Sequence, residues 1–314
     1  MALTMNDVDR FEASRPRLEA IAYRLLGSAS EAEDAVQETF LRWQAADGDH
    51  IEVPEAWLTK VLTNLCLNQL TSARARRETY VGQWLPEPLL AGDPMLGPAD
   101  TAEQRESVSY AVLAVLERLS PNERAVYVLR EAFDYPHREV AEILDISEAA
   151  SQQIFHRAKK HVAQGKARTE IDEAAAQRIV EEFLAAATSG RTEPLVRLLT
   201  QDAIAIGDGG GKIPARSKAF EGALAVAKFM RGLFKPSEAK RALVGGSPDI
   251  YATTANGAPA LVVVVDGRVI GVMCLEITDE GIAAFRNQVN PDKLERATER
   301  WAASDHGEPL LHAF

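Results

Sequence analysis

The apolar positions in the first half of the chain recur with the helical period of about 3.6 residues. One apolar stripe follows a single helix face and consists of Ala32, Val36, Phe40 and Trp43. Ser30 and Glu33 stand at the spacing of a capping box, which predicts that this helix begins at Ser30. A second stripe begins after Pro54 and consists of Leu58, Val61, Leu62 and Leu65. The pattern predicts a helical module over residues 1–79.

A second helical module is predicted over residues 104–168. Ser120 and Glu123 make another capping box at its first clear helix. Further along, a helical stretch ends at Asp145, and Ser147 can cap the helix that follows. This order is typical of a helix-turn-helix, although an ordinary helical hairpin would show the same pattern.

The composition changes over residues 80–103, which hold four prolines, three glycines and no basic residue. Because proline fixes φ and lacks a backbone donor, this stretch is predicted to be an extended linker between the two modules.

Beyond residue 170 the helical pattern gives way to alternating and β-branched runs. Residues 171–294 are predicted to form an α+β unit, an antiparallel sheet with helices packed on it, followed by a tail over residues 295–314. The glycine run in this unit is not a phosphate loop. Gly207 precedes Gly211 by four residues where that loop needs five, and Ile213 stands where a magnesium-binding hydroxyl is required.

Charge is unevenly distributed along the chain. The 35 basic and 46 acidic residues give a formal net charge of −11, which opposes nucleic-acid binding by the chain as a whole. Yet residues 56–77 carry four basic side chains and residues 149–168 carry five, and neither segment contains an acid. These two segments are the candidate contacts with DNA.

Several classes of protein are excluded at this level. Cys66 and Cys274 are too few and too far apart for a disulfide scaffold or a cysteine metal site. The apolar runs are too short to span a membrane, and the N-terminus lacks the pattern of a secretory signal, so we expect a cytoplasmic protein.

Polar side chains of suitable chemistry follow three predicted helix faces. An acidic face, either solvated or docked on a basic partner, consists of Asp34, Gln37, Glu38 and Leu41. A basic face, which can meet phosphates and base edges, consists of Lys60, Asn64 and Arg74 and continues into Arg76 and Arg77. The second helix of the helix-turn-helix presents Gln152, Gln153, His156 and Lys160.

Three segments in this order resemble the alternative sigma factors of the extracytoplasmic-function class. They are the run 30–42, the run 56–58 with Asn64 and Leu65, and the helix-turn-helix that ends at residues 155–158. The resemblance covers residues 8–165. It implies two all-α sigma domains, the second with a helix-turn-helix, and core RNA polymerase and promoter DNA as partners.

The resemblance also implies roles for the three faces. The region-two domain would bind the β′ clamp helices of the polymerase through Asp34, Gln37, Glu38 and Leu41. It would meet the −10 element through Lys60, Asn64, Arg74, Arg76 and Arg77. The region-four domain, whose polymerase partner would be the β flap, would meet the −35 element through Gln152, Gln153, His156, Arg157 and Lys160. Ile154 departs from the family pattern, in which many relatives carry a polar or basic residue.

The third unit resembles the SnoaL-like branch of the NTF2-like cone folds, as found in sigma factors that carry such a domain. Three motifs support this resemblance and are the candidate regulatory contacts. The linker motif consists of Trp84, Leu85, Pro86, Glu87 and Pro88. The glycine motif consists of Asp208, Gly209, Gly210, Gly211 and Lys212. The third motif, which also fits an ordinary helix-starting turn, consists of Asn290, Pro291, Asp292, Lys293 and Leu294.

The function expected from these observations is a sigma factor that directs core RNA polymerase to −10/−35 promoters and is modulated by its own C-terminal domain. One alternative is a helix-turn-helix regulator whose cone senses a small molecule, and another is an enzyme with a DNA-binding appendage. Residues 171–294 contain no histidine and a single tyrosine, Tyr251, which argues against catalysis. We expect no catalytic residues, cofactor, metal or membrane partner, and the cone leaves room for a small ligand.

Overall fold

The structure is a computed structural model that describes residues 5–46, 51–78, 80–163 and 173–313. The chain divides into two compact units. The first comprises Met1–Thr79 and Gly92–Lys166, and the second comprises Tyr80–Ala91 and Ala167–Phe314. Residues 80–91, which we name the strap, therefore pack within the second unit, although the residues on both sides of them along the chain belong to the first.

Within its described part, the regular secondary structure of the first unit is helical. Its N-terminal module consists of α1 (Met5–Leu26), α2 (Ala29–Ala45) and α3 (Pro54–Glu78). Its second module consists of α4 (Ala102–Glu106), α5 (Tyr110–Leu116), α6 (Pro121–Tyr127), a π-helical turn (Val128–Ala132), α7 (His137–Leu144) and α8 (Glu148–Ala163). A short 3₁₀ turn, Pro94–Leu96, precedes α4.

Local capping signals set most of these helix starts. The capping box of Ser120 and Glu123 is present in both directions, as predicted. The predicted start of α2 at Ser30 is wrong, because the cap is Ser28, whose Oγ accepts from the amide of Glu31 at 3.2 Å. The segment holds two overlapping serine–glutamate pairs at capping spacing, and the earlier pair is the one used.

The helix-turn-helix is confirmed. Helix α7 ends at Asp145, which adopts the left-handed conformation with φ of 53°. Ser147 then accepts the amide of Ala150 at 3.1 Å and so caps α8. Aspartate tolerates this conformation better than most residues, which lets the chain reverse in a short turn.

The second unit is an α+β domain. Its helices are α9 (Glu173–Thr188), α10 (Glu193–Leu198), α11 (Ala223–Phe234), α12 (Glu238–Val244) and α13 (Glu295–Ala302). Its strands are β1 (Leu199–Asp208), β2 (Phe220–Glu221), β3 (Asp249–Ala255), β4 (Ala258–Val265), β5 (Arg268–Thr278), β6 (Gly281–Gln288) and β7 (Leu311–His312). The strand order is β2-β1-β6-β5-β4-β3-β7.

The sheet is mixed, whereas an antiparallel sheet was predicted. Strands β1 and β6 pair in parallel, whereas all other neighbours are antiparallel. The sequence pattern shows each strand but not this pairing, because β1 and β6 are joined through the rest of the sheet and not by a local turn. Helices α9 and α11 bury Phe183, Val226 and Met230 against the sheet.

Candidate functional sites

The acidic face of α2 is available to a partner. Asp34 and Gln37 are exposed, Glu38 is half-buried, and Leu41 is 51% exposed. Glu38 pairs along the helix with Arg42 at 2.9 Å. The opposite face buries Val36 and Trp43 in the helical core. An exposed leucine amid acidic groups favours contact with another macromolecule, although single exposed apolar residues are common.

The basic face of α3 is only partly described. Lys60 Nζ donates to Asp145 Oδ1 at 2.7 Å and to the carbonyl of Glu142 at 2.8 Å, so it contacts the turn of the helix-turn-helix. Asn64 is half-buried one turn further along α3. Helix α3 continues to Glu78, but the side chains of Arg74, Arg76 and Arg77 lie outside the described residues.

The two helical modules of the first unit share a polar, buried interface. Arg24 donates to Ser107 Oγ at 2.8 Å and to the carbonyl of Leu96 at 2.6 Å. Arg124 donates to the carbonyl of Arg24 at 3.2 Å. Burial lowers the pKa of Arg24 to about 10 and that of Arg124 to about 9, so both remain charged at neutral pH. These hydrogen bonds, with the ion pair of Arg124 and Glu117, replace part of the water that the guanidinium groups lose, although Nη2 of Arg124 is buried without a hydrogen-bond partner among the described residues.

A second contact between these modules involves α3. Thr59 Oγ1 and Tyr135 Oη lie 2.9 Å apart in the buried part of the interface. Together with the ion pair of Lys60, this contact places α3 against the helix-turn-helix. In this arrangement Lys60 is occupied by protein groups.

Helix α8 presents the expected polar face to solvent. The exposed side chains include Gln152, Gln153, His156, Arg157 and Lys160. The opposite face buries Ser151, Ala158 and Val162. Arg157 lies 3.8 Å from Glu123, a weak contact that leaves most of its guanidinium exposed. All five candidate residues for the −35 element therefore share one accessible helix face.

His137 fixes the two helices of the helix-turn-helix to each other. Its Nδ1 lies 2.9 Å from Ser151 Oγ on α8, and its ring packs edge-on against Phe155. Burial and the neighbouring charge of Arg130 lower the pKa of His137 from its usual 6.5. The neutral imidazole is therefore the form that this packing favours.

In the second unit, the buried carboxylate of Asp208, which belongs to the glycine motif, contacts the strap and the third motif, Asn290 to Leu294, which we name the C-terminal motif. Asp208 is 0% exposed. From the strap it accepts Tyr80 Oη at 2.6 Å and the amide of Leu85 at 2.9 Å. From the C-terminal motif it accepts Lys293 Nζ at 2.7 Å. The amide of Gly210 at 3.0 Å and Gln288 Nε2 at 3.2 Å complete its set of donors.

Lys293 is the cation that compensates this buried charge. Its Nζ also donates to the carbonyl of Leu85 at 2.7 Å and lies over the rings of Trp84, 4.3 Å from the centroid, and Tyr80, 4.8 Å from the centroid. Strap residues Leu85–Leu90 are all buried. The linker motif is thus held by hydrogen bonds between Leu85 and both members of the Asp208–Lys293 ion pair and by the cation–π contact of Lys293 with Trp84.

Two glycines of the glycine motif, Gly209 and Gly210, must lack side chains for this arrangement to form. A Cβ on Gly209 would lie 2.1 Å from the carbonyl oxygen of Ile213. Gly210 has φ of 58°, and a Cβ there would lie 2.4 Å from Asn290 Nδ2. At the outer end of the motif Lys212 pairs with Asp292 at 2.5 Å. The glycine motif and the C-terminal motif, predicted separately, pack directly on each other.

The far end of the strap joins the hairpin between β3 and β4. Asn256, which is buried, accepts the amide of Leu89 on Oδ1 at 2.9 Å and donates its own amide to the carbonyl of Leu89 at 2.9 Å. The amide of Ala91 donates to Thr254 at 3.1 Å, and Leu90 forms a β-bridge with Ala255.

Sequence reasoning missed three residues of this site, namely Tyr80, Gln288 and Asn256. Gln288 could have been found, because it lies two residues before Asn290 and so shares its face of an extended chain. Asn256-Gly257 is a hairpin signal, but that signal gives no reason to expect the contact with the strap. Nothing in the sequence around Tyr80 points to Asp208.

The described residues contain no helix long and apolar enough to cross a membrane. Within the same ranges, no group of three or more histidine, cysteine, aspartate or glutamate side chains could hold a metal ion.

Comparison with known proteins agrees with this architecture. Residues 10–76 match the family Sigma-70 region 2, and residues 109–162 match the family Sigma-70, region 4. The two helical modules thus define a sigma factor of the Sigma-70 type.

Longer relatives extend the match to the second unit. The ECF RNA polymerase sigma factor SigJ of Mycobacterium tuberculosis is 38% identical, over 92% of this chain and 93% of its own. The probable ECF RNA polymerase sigma factor SigI of the same species is 29% identical over 91% and 93%. The crystal structure of SigJ superposes with a TM-score of 0.70 at 34% identity, covering 91% of this chain and 97% of that one.

The chain therefore belongs to the extracytoplasmic-function RNA polymerase sigma factors. It binds core RNA polymerase and directs it to promoters. The expectation of two sigma domains followed by a C-terminal domain that fits the SnoaL-like cone is confirmed.

Proposed function

We propose that the C-terminal domain regulates this sigma factor by holding the strap. The observation that carries the proposal is the buried carboxylate of Asp208, which accepts hydrogen bonds from Tyr80 and from the amide of Leu85 in the strap. The strap lies in the chain between the region-two and region-four modules. Whatever holds it therefore limits how the connection between these modules can extend.

Extension of this connection is needed for promoter binding. The −10 and −35 elements occupy separate positions along the DNA, so the linker must span the distance between the two domains that contact them. Within the first unit Lys60 is paired with Asp145 of the helix-turn-helix. Contact of Lys60 with DNA at the −10 element requires that this pair opens first.

The polymerase and DNA contacts follow the three helix faces. In this proposal the β′ clamp helices bind the face of Asp34, Gln37, Glu38 and Leu41. The −10 element meets Lys60, Asn64, Arg74, Arg76 and Arg77. The −35 element meets Gln152, Gln153, His156, Arg157 and Lys160, while the β flap binds the region-four domain. Reversing Asp34 and Glu38 to lysine should weaken binding to core polymerase in a titration without changing the circular dichroism spectrum.

A regulatory role fits the cone better than a catalytic one. Asp208 is the buried carboxylate most suited to act as a base, yet five donors surround it, including Lys293 Nζ at 2.7 Å. A carboxylate whose lone pairs are taken in this way is poorly placed to accept a proton from a substrate. We therefore propose a protein that is not an enzyme, needs no cofactor and works in the cytoplasm, where RNA polymerase is found.

The test is promoter output from full-length chains in which the strap contact is weakened. Asp208→Asn and Lys293→Met should each change transcription from a cognate promoter by about fivefold or more, which is the lower end of ordinary allosteric coupling. Asp279→Asn, an exposed carboxylate of the same unit, is the matched control. Equal output from all four chains, with the variants folded by near-UV circular dichroism, would defeat the proposal.

A further inference from the structure

The second unit contains a cavity of about 700 Å³ that none of the three motifs explains. This volume falls within the range of small-molecule sites. Its inner wall is apolar and includes Phe229 and Leu233 of α11, Ile250 of β3, Val263 of β4 and Met273 of β5. Such a wall gains free energy by covering an apolar group and has little to offer a polar one.

The rim of the cavity carries a cation in a fixed position. The guanidinium carbon of Arg216 lies 4.7 Å from the ring centroid of Phe220, and Phe220 stacks on Phe229 with centroids 4.2 Å apart and planes at 17°. All three residues line the cavity. Within the described ranges, Arg216 makes no ion pair with a carboxylate. Its planar fork of donors is therefore available to a ligand while the stacking holds it in place.

From this combination we propose that the cavity binds an amphiphilic monocarboxylate. The aliphatic part occupies the apolar interior, and the carboxylate forms a bidentate pair with Arg216 at the rim, beside Lys218 on the same loop. An uncharged molecule of the same length would leave the guanidinium without its partner. The charged residues that line the cavity are Arg216, Lys218, Lys240 and Arg268 against Glu295 and Glu299. This positive surplus disfavours a cationic amphiphile.

The cavity and the strap lie on opposite faces of the same two strands. Gly207 of β1 and Asn287 of β6 are paired in register and line the cavity. The next pair in register is Asp208 and Gln288, and these side chains contact the strap. Successive residues of a strand face opposite sides of the sheet. A ligand that displaces β1 or β6 from the cavity side would therefore also displace Asp208 and Gln288, which contact the strap on the other side.

The glycine motif provides a second connection between cavity and strap. Ile213 lines the cavity, and its carbonyl packs so closely on Gly209 that a Cβ would collide with it. Pro291 and Leu294 of the C-terminal motif also line the cavity, while Lys293 between them pairs with Asp208. Displacement of either segment by a ligand would move a residue that touches the buried carboxylate.

Occupancy of the cavity is therefore coupled to the contacts that hold the strap. This inference rests on the proposed regulatory function. Coupling between two sites is reciprocal. A variant that releases the strap must change the affinity for the carboxylate, and the carboxylate must change promoter output by acting on the strap.

Binding is tested on the full-length chain with dodecanoate as the probe, below its micelle concentration, by isothermal titration calorimetry. Dodecanoate should bind, and Arg216→Gln should weaken it by about tenfold, the loss of one charge-assisted pair. Val263→Phe, which fills the interior, should also weaken it. Arg197→Gln, an exposed arginine of the same unit that does not line the cavity, is the matched control and should bind normally.

Two further probes check the chemistry of the ligand. Dodecanol should bind at least about tenfold more weakly than dodecanoate, and dodecyltrimethylammonium should not bind. No heat of binding with dodecanoate would overturn the proposal. So would equal affinities of wild type and Arg216→Gln, or of dodecanoate and dodecanol.

The coupling is tested by adding dodecanoate to the transcription assay and by repeating the titration with Asp208→Asn. A changed affinity in Asp208→Asn, together with dodecanoate-dependent output in the wild type but not in Arg216→Gln, supports the coupling. Binding that leaves output and the affinity of Asp208→Asn unchanged overturns it. The regulatory function itself fails by a different result, namely unchanged output from the strap variants without any ligand.

Discussion

At the scale of single residues, Asp208 shows how a buried charge can specify one arrangement of the chain. An ionised carboxylate removed from water is costly unless a cation and hydrogen bonds replace the lost hydration. Here the replacement comes from residues far apart in sequence, namely Tyr80, Leu85 and Lys293. The charge is therefore satisfied only when the strap and the C-terminal motif are both in place.

Replacing Asp208 by asparagine should destabilise the second unit by about 3 kcal/mol, because Lys293 would remain buried without its anion. Chemical unfolding followed by the circular dichroism of the sheet measures the change. Asp279→Asn, in an exposed turn, should stay within about 0.5 kcal/mol of the wild type. A loss no larger in Asp208→Asn than in this control would contradict the importance of the ion pair.

Because of His137, we expect the stability of the helix-turn-helix to depend on pH. Its pKa in the folded chain lies below its usual 6.5, mainly because of burial and then because of Arg130. The unfolded chain therefore binds the proton more readily, and stability that is fully present above 6.5 is lost as the pH falls below it. His137→Gln should remove this part of the acid sensitivity.

The measurement is urea unfolding of the helical unit at about pH 7.5 and at about pH 5.5. The drop in stability between these conditions should be smaller in His137→Gln than in the wild type. His156→Gln, which replaces an exposed histidine of α8, is the matched control. An identical drop in all three chains would show that His137 does not titrate in this range.

At the scale of elements, helices α3 and α7 carry a contact that bears on promoter binding. Lys60 and Asp145 form a pair whose side chains are 41% and 75% exposed, so it contributes little stability. The buried contacts of Arg24 and Arg124 contribute more to holding the two modules together. The exposed pair is thus the easier of these contacts to open.

Asp145→Asn should ease this opening while keeping a residue that tolerates the left-handed turn. Loss of about 0.5–1 kcal/mol from an exposed pair corresponds to about two- to fivefold more open-complex formation at limiting sigma factor. Glu142→Gln, whose carboxylate lies one turn away on α7 and does not contact Lys60 in the described structure, is the control. Reduced open-complex formation by Asp145→Asn alone would contradict the proposed opening step.

The difference between local and long-range information decides which elements the sequence predicts. The helix-turn-helix and the cap at Ser120 depend on neighbours within a few residues, and both are predicted correctly. The cap of α2 is Ser28 and not the predicted Ser30. Ser28 with Glu31 and Ser30 with Glu33 both satisfy the same local spacing rule, which cannot distinguish them. The parallel pairing of β1 with β6 and the contact of Leu89 with Asn256 depend on chain segments far apart, for which a single sequence carries no periodic signal.

At the scale of the whole molecule, the strap has two structural roles. It is the covalent link between the region-two and region-four modules, and it is a packed element of the C-terminal unit. The proline-rich composition indicated an extended linker but could not show where it packs. The hydrogen-bond partners of its buried residues Leu85 and Leu89 include Asp208 and Asn256, which lie more than a hundred residues further along the chain.

The two cysteines give each unit its own reporter of unfolding. Cys66 lies in the first unit and Cys274 in the second, and both are buried. Burial raises the pKa of Cys66 to about 12 and also raises that of Cys274, so neither thiol should react with an alkylating agent while its unit is folded. Labelling in moderate urea, read by mass spectrometry of the two cysteine peptides, therefore follows each unit separately.

Asp208→Asn should accelerate the labelling of Cys274 but not that of Cys66, because every described contact of Asp208 belongs to the second unit. A destabilisation of about 3 kcal/mol corresponds to about a hundredfold increase in the labelling rate. Asp279→Asn should change neither rate. Equal acceleration of both cysteines in Asp208→Asn would mean that the units unfold as one, and the effect of this residue would then extend to the sigma modules themselves.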